Sequence, residues 1–371
     1  MTGPPSAPMR RALELAYQAL GTTSPNPAVG AVIVNEGEVV GEGMTQPPGG
    51  PHAEVVALRQ AGARARGATV YVTLEPCSHH GRTPPCTDAL IEARVGRVVF
   101  AFQDPDRLVS GRGREQLLAA GIAVEEGDGA AESARLLEGY VKHRRTGMPF
   151  VTVKYAASLD GRIAAASGDS RWVSGPATLR WTHHGRTKID AILVGSSTVL
   201  LDDPQLTARP DGAEASRQPL RVVLDSAGRV SPQARVFSGA GKVLVATTAR
   251  SRSQWRRRIE AAGAEVLVLG EDAEGRVPLP PLLRELGERG VLTLLVEGGG
   301  VVHGSFFDQR LVDKVTAVIA PMIIGADAAP AAVAGKGAQH MRDAVRLRDM
   351  TVERLGDDIL VTGYPVWPEE A

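Results

Sequence analysis

The chain predicts an α/β fold built as two consecutive units. Three observations carry this reading. Short β-branched runs alternate with stretches of helical period in both halves. "RTGMPF" at 145–150 sets Gly and Pro between a helical stretch and a fresh apolar run, so the units are expected at 1–147 and 148–371. The chain has 371 residues, 43% of them hydrophobic, enough for two cores at roughly 100–200 residues each.

The elements follow in order. Leu13, Leu15, Ala16 and Leu20 recur at helical spacing, which predicts a helix over 9–20. "AVGAVIVNEGEVVGEG" at 28–43 reads as a hairpin, two apolar runs joined by "NEGE". A helix over 53–64, a strand "TVYVTL" and a helix opening at "CTDALIEAR" come next. "RVVFAF", a short helix at "EQLLAAG", "IAVEEG" and one long helix over 130–145 close the first unit, around a mixed sheet. In the second unit "FVTVKYAAS", "AILVGS", "LRVVLD", "KVLVATT", "EVLVLG", "TLLVEGGG" and "KVTAVIAP" are the expected strands, with helices between several of them. "RPDGAEASRQP" at 209–219 reads as a surface loop.

Composition narrows the function. The formal net charge is zero and aromatic residues are 4% of the chain, so neither a basic channel nor a stacking platform for nucleic acid is evident. Six lysines leave 36 arginines among the 42 basic residues, a bias that looks compositional. "RRTG" at 144–147 and "RRR" at 256–258 read as solvated helix surface. No apolar run approaches the roughly 20 residues of a membrane span, and the N-terminus lacks signal-peptide features. A cytoplasmic protein is expected. There, a cysteine pair points to metal or catalysis rather than to a structural disulfide.

The two cysteines of the chain, Cys77 and Cys86, share one loop, "EPCSHHGRTPPC", downstream of "HAEVVAL" at 52–58. His52, Cys77 and Cys86 make a one-nitrogen, two-sulfur set. That is the three-ligand count of a catalytic zinc, whose fourth position is left for water. Glu54, two residues after His52, is placed to move protons without ligating. At a predicted helix start its carboxylate gains from the macrodipole, and Cys86 opens a helix where a thiolate is favoured. His79 and His80 remain as a reserve fourth ligand, as pocket lining or as solvated residues. The eight-residue gap "SHHGRTPP" departs from the Pro-Cys-x-x-Cys of generic zinc deaminases.

With these motifs in hand the chain resembles a known family. "TSPNPAVGAVIV", "PHAEVVAL", "YVTLEPCSHHGRTPPCTDAL" and "DPDRLVSGRG" are similar to the deaminase half of the bifunctional riboflavin-biosynthesis deaminase–reductases. "YAASLDGRIAAASGDSRWVSG", "AILVGSSTVLLDDPQLTAR" and "VEGGGVVHGSFF" are similar to the reductase half. The resemblance implies a cytidine-deaminase-like α/β/α domain followed by a dihydrofolate-reductase-like α/β domain. It implies zinc-dependent removal of the ring 2-amino group from a diaminopyrimidinone ribosylamine 5′-phosphate, then reduction of the ribosyl group to ribityl with NADPH. The partners are therefore small phosphorylated pyrimidines, with no nucleic acid and no membrane, and a homo-oligomer is expected. The family's zinc ligands fall on His52, Cys77 and Cys86 and its proton shuttle on Glu54. Asn26 matches a pyrimidine contact, although a residue between two prolines also suits an Asx turn. Where the family shows Asp-Pro-Asn, this chain has Asp104, Pro105 and Asp106, which puts a substrate contact from Asp106 in doubt.

For the reductase half, Gly298, Gly299 and Gly300 follow a strand and precede a helix, which lets backbone N–H groups approach a phosphate; a flexible turn fits the same residues. The spacing is not that of a Rossmann fingerprint. The resemblance places cofactor contacts on Ala156, Trp172, Thr198, Asp202, Ser226, Gly299 and Gly300. It places substrate contacts on Ser170, Arg186, Leu206, Arg209 and Glu297, with Arg186 and Arg209 read as a grip on the 5′-phosphate. Trp172 and Leu206 also suit a core, and Asp202 a turn. Lys154 and Asp160 lie in the same motif, and Asp160 also suits a turn cap. A nucleic-acid-editing deaminase fits neither the charge nor the second unit, and Glu54 argues against a zinc-stabilised scaffold without activity.

Overall fold

The computed structural model describes residues 4–80, 84–106 and 110–368. Residues 81–83 and 107–109, inside two of the motifs above, lie outside the described residues. The chain divides into two units, Met1–Met148 and Pro149–Ala371.

The first unit opens with α1 (Ala7–Ala19), started by Ser6, whose hydroxyl accepts the Met9 amide. The hairpin β1 (Gly30–Asn35) and β2 (Glu38–Met44) follows, then α2 (Ala53–Ala61), which ends three residues before the expected Arg64, in a 3₁₀ turn. β3 (Thr69–Val72), α3 (Cys86–Glu92), β4 (Arg97–Phe100), α4 (Arg112–Ala119) and β5 (Ala123–Glu126) complete an alternating series. The sheet order is β2-β1-β3-β4-β5. β1 is antiparallel to both neighbours, and β3, β4 and β5 run parallel. Met9, Ala12 and Leu15 of α1 pack on Val32 and Val99. The one long helix expected over 130–145 is two, α5 (Ala130–Leu136) and α6 (Glu138–Thr146). At Leu137 the backbone leaves helical geometry (φ −100°, ψ 16°), and its side chain is 2% exposed. Burial of that leucine, invisible to local periodicity, accompanies the break.

The second unit is a nine-stranded sheet ordered β10-β9-β8-β7-β11-β6-β12-β14-β13. Its strands are β6 (Phe150–Ser158), β7 (Ala191–Gly195), β8 (Leu220–Leu224), β9 (Val243–Thr247), β10 (Glu265–Val268), β11 (Thr293–Val296), β12 (Lys314–Ala320), β13 (Arg346–Leu355) and β14 (Asp358–Val366). The helices are α7 (Pro176–Arg186), α8 (Ser196–Asp202), α9 (Ser253–Ala261), α10 (Leu279–Glu288) and α11 (Gly300–Asp308). β6 to β12 run parallel, and near-continuous apolar strands such as Ala191–Gly195 suit a sheet covered on both faces. The closing hairpin of β13 and β14 was not foreseen. Most of β13 is exposed, so charged residues interrupt the alternation that marks a half-buried strand. Among the described residues no helix is long and apolar enough to cross a membrane.

Candidate active sites

In the first unit the approach of α2 to β2 sets the site. A Cβ on Gly43 would fall 2.2 Å from the Ala53 carbonyl oxygen, so only glycine lets the helix start sit this close. His52 is the N-cap of α2 in extended geometry, and Glu54 lies in its first turn. Cys77 follows β3, and Cys86 opens α3. The Cys86 amide donates to Cys77 Sγ (3.4 Å), and the Thr87 amide to the Cys77 carbonyl (3.2 Å). These bonds tie the two ends of the loop.

His52 Nδ1 stands 3.5 Å from Cys77 Sγ and 3.3 Å from Cys86 Sγ, and the three donor atoms lie within 4.8 Å of one another. A tetrahedral zinc with bonds of roughly 2.0 Å to nitrogen and 2.3 Å to sulfur needs N···S edges of about 3.5 Å. The donor set fits zinc. No other group of three His, Cys, Asp or Glu donors converges in this way among the described residues. Glu54 is 4% exposed. Burial, followed by the Cys77 charge, pushes its carboxyl up to about 7. The Cys86 thiol and then His52 lower Cys77, while Cys77 and burial push Cys86 up.

His52, Glu54 and Cys77 open on a cavity of about 240 Å³ that Asn26 and the exposed His79 also line, with Cys86 buried behind them. His80 is exposed. The Asn26 turn is held by its amide on the Thr23 carbonyl (2.9 Å) and by the Thr23 hydroxyl on the Asn26 carbonyl (3.1 Å). Three further lining residues, Glu75, Tyr140 and Arg144, escaped the sequence reading. Glu75, 3% exposed, accepts the amides of Asp104 (3.2 Å), Gly111 (2.9 Å) and Arg114 (3.1 Å). The Tyr140 hydroxyl donates to Asp104 Oδ1 (3.1 Å). Burial pushes Asp104 up to about 6 against the pull of the Asp106 amide and Tyr140. Glu75 directly precedes Pro76-Cys77, a positional clue. Tyr140 and Arg144 stand at i, i+4 on α6, which places them on one helix face but not at this cavity. Arg144, expected as solvated surface, lines the cavity while keeping 29% of its side chain exposed.

In the second unit a cavity of about 570 Å³ is lined by Ser170, Thr198, Asp202, Ser226, Gly299 and Gly300. The Gly299 amide donates to Thr198 Oγ1 (3.1 Å), Ser170 Oγ to Asp202 Oδ1 (2.7 Å), and the Val277 amide to Ser226 Oγ (3.1 Å). A Cβ on Gly300 would sit 2.3 Å from the Ala331 carbonyl oxygen, so the turn into α11 requires glycine there. Arg229, Arg250 and Arg276 bring positive charge to the same cavity. Backbone amides at a helix start, hydroxyls and guanidinium groups suit a phosphorylated dinucleotide.

The remaining expected residues lie elsewhere. Ala156 is paired inside β6 with Val318, Trp172 is 67% exposed, and Leu206 is 4% exposed within the hydrophobic core. Arg186 Nη2 donates to Glu297 Oε2 (2.6 Å), and Lys154 Nζ stands 3.8 Å from Glu297 Oε1. The Arg209 amide donates to His183 Nδ1 (3.2 Å), and its guanidinium to Gln205 Oε1 (3.1 Å) and Thr207 Oγ1 (2.5 Å). Asp160 accepts Ser158 Oγ and the amides of Ile324 and Gly325, a loop tie in keeping with the turn reading.

Two family models match this chain: the cytidine and deoxycytidylate deaminase zinc-binding region over residues 5–102, and the RibD C-terminal domain over residues 149–361. The riboflavin biosynthesis protein RibD of Escherichia coli (strain K12) is 42% identical over 361 residues, covering 95% of this chain and 96% of the relative. The chain belongs to the RibD family. It is a bifunctional enzyme of riboflavin biosynthesis, with a zinc-binding deaminase half and an NADPH-using reductase half. RibD of Mycobacterium tuberculosis (strain H37Rv) is also 42% identical, over 95% of both chains. The solved structure of Acinetobacter baumannii RibD, form 1, is similar at a TM-score of 0.86 and 38% identity, covering 97% of this chain and 98% of that one. A Thermotoga maritima structure described as a diaminohydroxyphosphoribosylaminopyrimidine deaminase/5-amino-6-(5-phosphoribosylamino)uracil reductase aligns at a TM-score of 0.83 and 36% identity, over 97% and 98%.

Proposed function

We propose that the two halves act in sequence on one phosphorylated pyrimidine: hydrolytic loss of the ring 2-amino group of a diaminopyrimidinone ribosylamine 5′-phosphate, then reduction of its ribosyl group to ribityl. The observation that carries the first step is the triangle of His52, Cys77 and the fully buried Cys86 beside a buried carboxyl, Glu54, at a cavity that His52, Cys77 and Glu54 line. Zinc held by those three residues supplies the activation of water for hydrolysis. Glu54 takes the proton given up by the attacking water and delivers it to the departing amine. Burial raises its carboxyl from the usual carboxylate range, which favours a group that both takes and returns a proton. Asn26, on the wall of the same cavity, orients the pyrimidine through its carboxamide.

For the second step NADPH supplies the hydride. Thr198, Asp202, Ser226, Gly299 and Gly300 bind it in the larger cavity, with Ser170 at the substrate end. Arg186 and Arg209 grip the 5′-phosphate, and Glu297, held as a carboxylate by Arg186 and Lys154, accepts from a sugar hydroxyl. Ala156, Trp172 and Leu206 do not line this cavity. The two thiols suit a reducing cytoplasm.

The test is incubation of purified protein with the diaminopyrimidinone substrate, with and without NADPH, followed by mass analysis. Without NADPH the deaminated ribosylamino product accumulates; with it, the ribityl product. Reduction ahead of deamination would overturn the order.

A further inference from the structure

The deaminase cavity is lined by Glu54, Glu75, Asp104 and Asp106, yet its proposed substrate is a phosphate ester. Glu75 is committed to three amides and Asp104 to the Tyr140 hydroxyl. Asp106 is different. Its carboxylate is 20% exposed on the wall, and Arg144 forms an ion pair with it, Nε lying 3.5 Å from Asp106 Oδ2.

Arg144 is held from three sides. Its guanidinium lies 5.0 Å over the Tyr140 ring, and Nη2 donates to the Pro25 carbonyl (3.4 Å), in the loop that carries Asn26. Planar, always charged and with five donors, a guanidinium can stack on an aromatic ring while it pairs a carboxylate. The Asp106 amide in turn donates to Asp104 Oδ1 (2.8 Å), so the network joins the Asn26 loop, α6 and the 104–106 loop around one cavity.

We infer that Arg144 is a positioning residue for deamination: it cancels the charge of Asp106, so that a phosphorylated substrate is admitted past this wall. Two like charges a few ångströms apart at a partly exposed site interact strongly enough to change affinity about tenfold, and less as salt rises. This inference rests on reading the cavity as the deaminase site.

The test is steady-state deamination by four variants, with reduction of the deaminated intermediate as a fold control in the same chains. Arg144→Gln is expected to raise the deamination KM about tenfold at low salt, with kcat within about twofold of the parent and reduction unchanged. Asp106→Asn alone is expected to leave KM at or below the parental value. The double variant Arg144→Gln/Asp106→Asn is expected to return KM to within about threefold of the parent. Arg144→Lys, which keeps the charge, is expected to stay closer to the parent than Arg144→Gln. The inference is overturned if the double variant keeps the full defect of Arg144→Gln, because Asp106 is then not the charge being cancelled, or if Arg144→Gln leaves KM unchanged. Glu54→Gln assayed in parallel separates the two levels: intact deamination in that variant would remove the site assignment itself, whatever Arg144 does.

Discussion

Arg186 Nη2 lies 2.6 Å from Glu297 Oε2, with the two side chains 12% and 10% exposed. Burial alone would raise the Glu297 carboxyl, but Arg186 and then Lys154 hold it at about 2. Breaking such a buried pair from one side leaves an uncompensated charge and costs about 3–5 kcal/mol. Arg186→Met should therefore destabilise the second unit by that order in denaturant unfolding. Arg186→Met/Glu297→Leu should recover most of the loss. A double variant as unstable as the single one would show that the pair is not what holds this region.

Arg209 is proposed to grip the 5′-phosphate beside Arg186, which also pairs with Glu297. Its guanidinium contacts neutral oxygens, those of Gln205 and Thr207. Hydrogen bonds to charged groups contribute about 1.5–3 kcal/mol each, so Arg209→Gln should lower reductase kcat/KM roughly ten- to a hundredfold. A dephosphorylated substrate should react poorly with the parent and lose little more with the variant. Equal losses for both substrates would place Arg209 away from the phosphate.

His183 gives the reductase half a pH signature. Burial, then Arg186 and Arg209, lower it to about 4 from an unfolded value of 6.5, and its Nδ1 accepts the Arg209 amide, as a neutral ring does. Between pH 6.5 and 4 the unfolded chain binds the proton and the folded chain does not, so folding stability falls as pH falls through that window. His183→Gln should reduce the fall in Tm between pH 7 and pH 4.5. An identical fall in parent and variant would mean that His183 titrates normally.

Gly43 couples the fold of the first unit to its chemistry. A Cβ there meets the Ala53 carbonyl at 2.2 Å, one residue from both His52 and Glu54. Gly43→Ala should displace the start of α2, lowering zinc retention against a chelator and deamination together, while reduction of the deaminated intermediate continues. Parental zinc retention and deamination would show that the helix start adapts at no cost.

Much of this was legible in the sequence, for reasons that differ by element. β7 and β9 announce themselves through apolar runs, because burial constrains each position. The β13–β14 hairpin does not, because Arg346, Arg348, Asp349, Glu353 and Arg354 stand along an exposed strand where burial imposes no pattern. The break at Leu137 depends on what that side chain packs against. The candidate metal donors were readable because a His, Cys and Cys set in a short span points to metal binding or catalysis. Tyr140 and Arg144 were not, since they reach the cavity only through the placement of α6. Arg186 and Glu297, 111 residues apart, show their pairing only in the folded sheet.

The account stands most directly on Glu54. In Glu54→Gln, metal analysis should find zinc at the parental level, because His52, Cys77 and Cys86 remain within 4.8 Å of one another without it. Deamination should fall roughly 10²–10⁴-fold, the usual contribution of a positioned acid–base, while the same protein reduces supplied deaminated intermediate with NADPH at the parental rate. Near-parental deamination with full zinc would remove Glu54 from the chemistry and contradict the account.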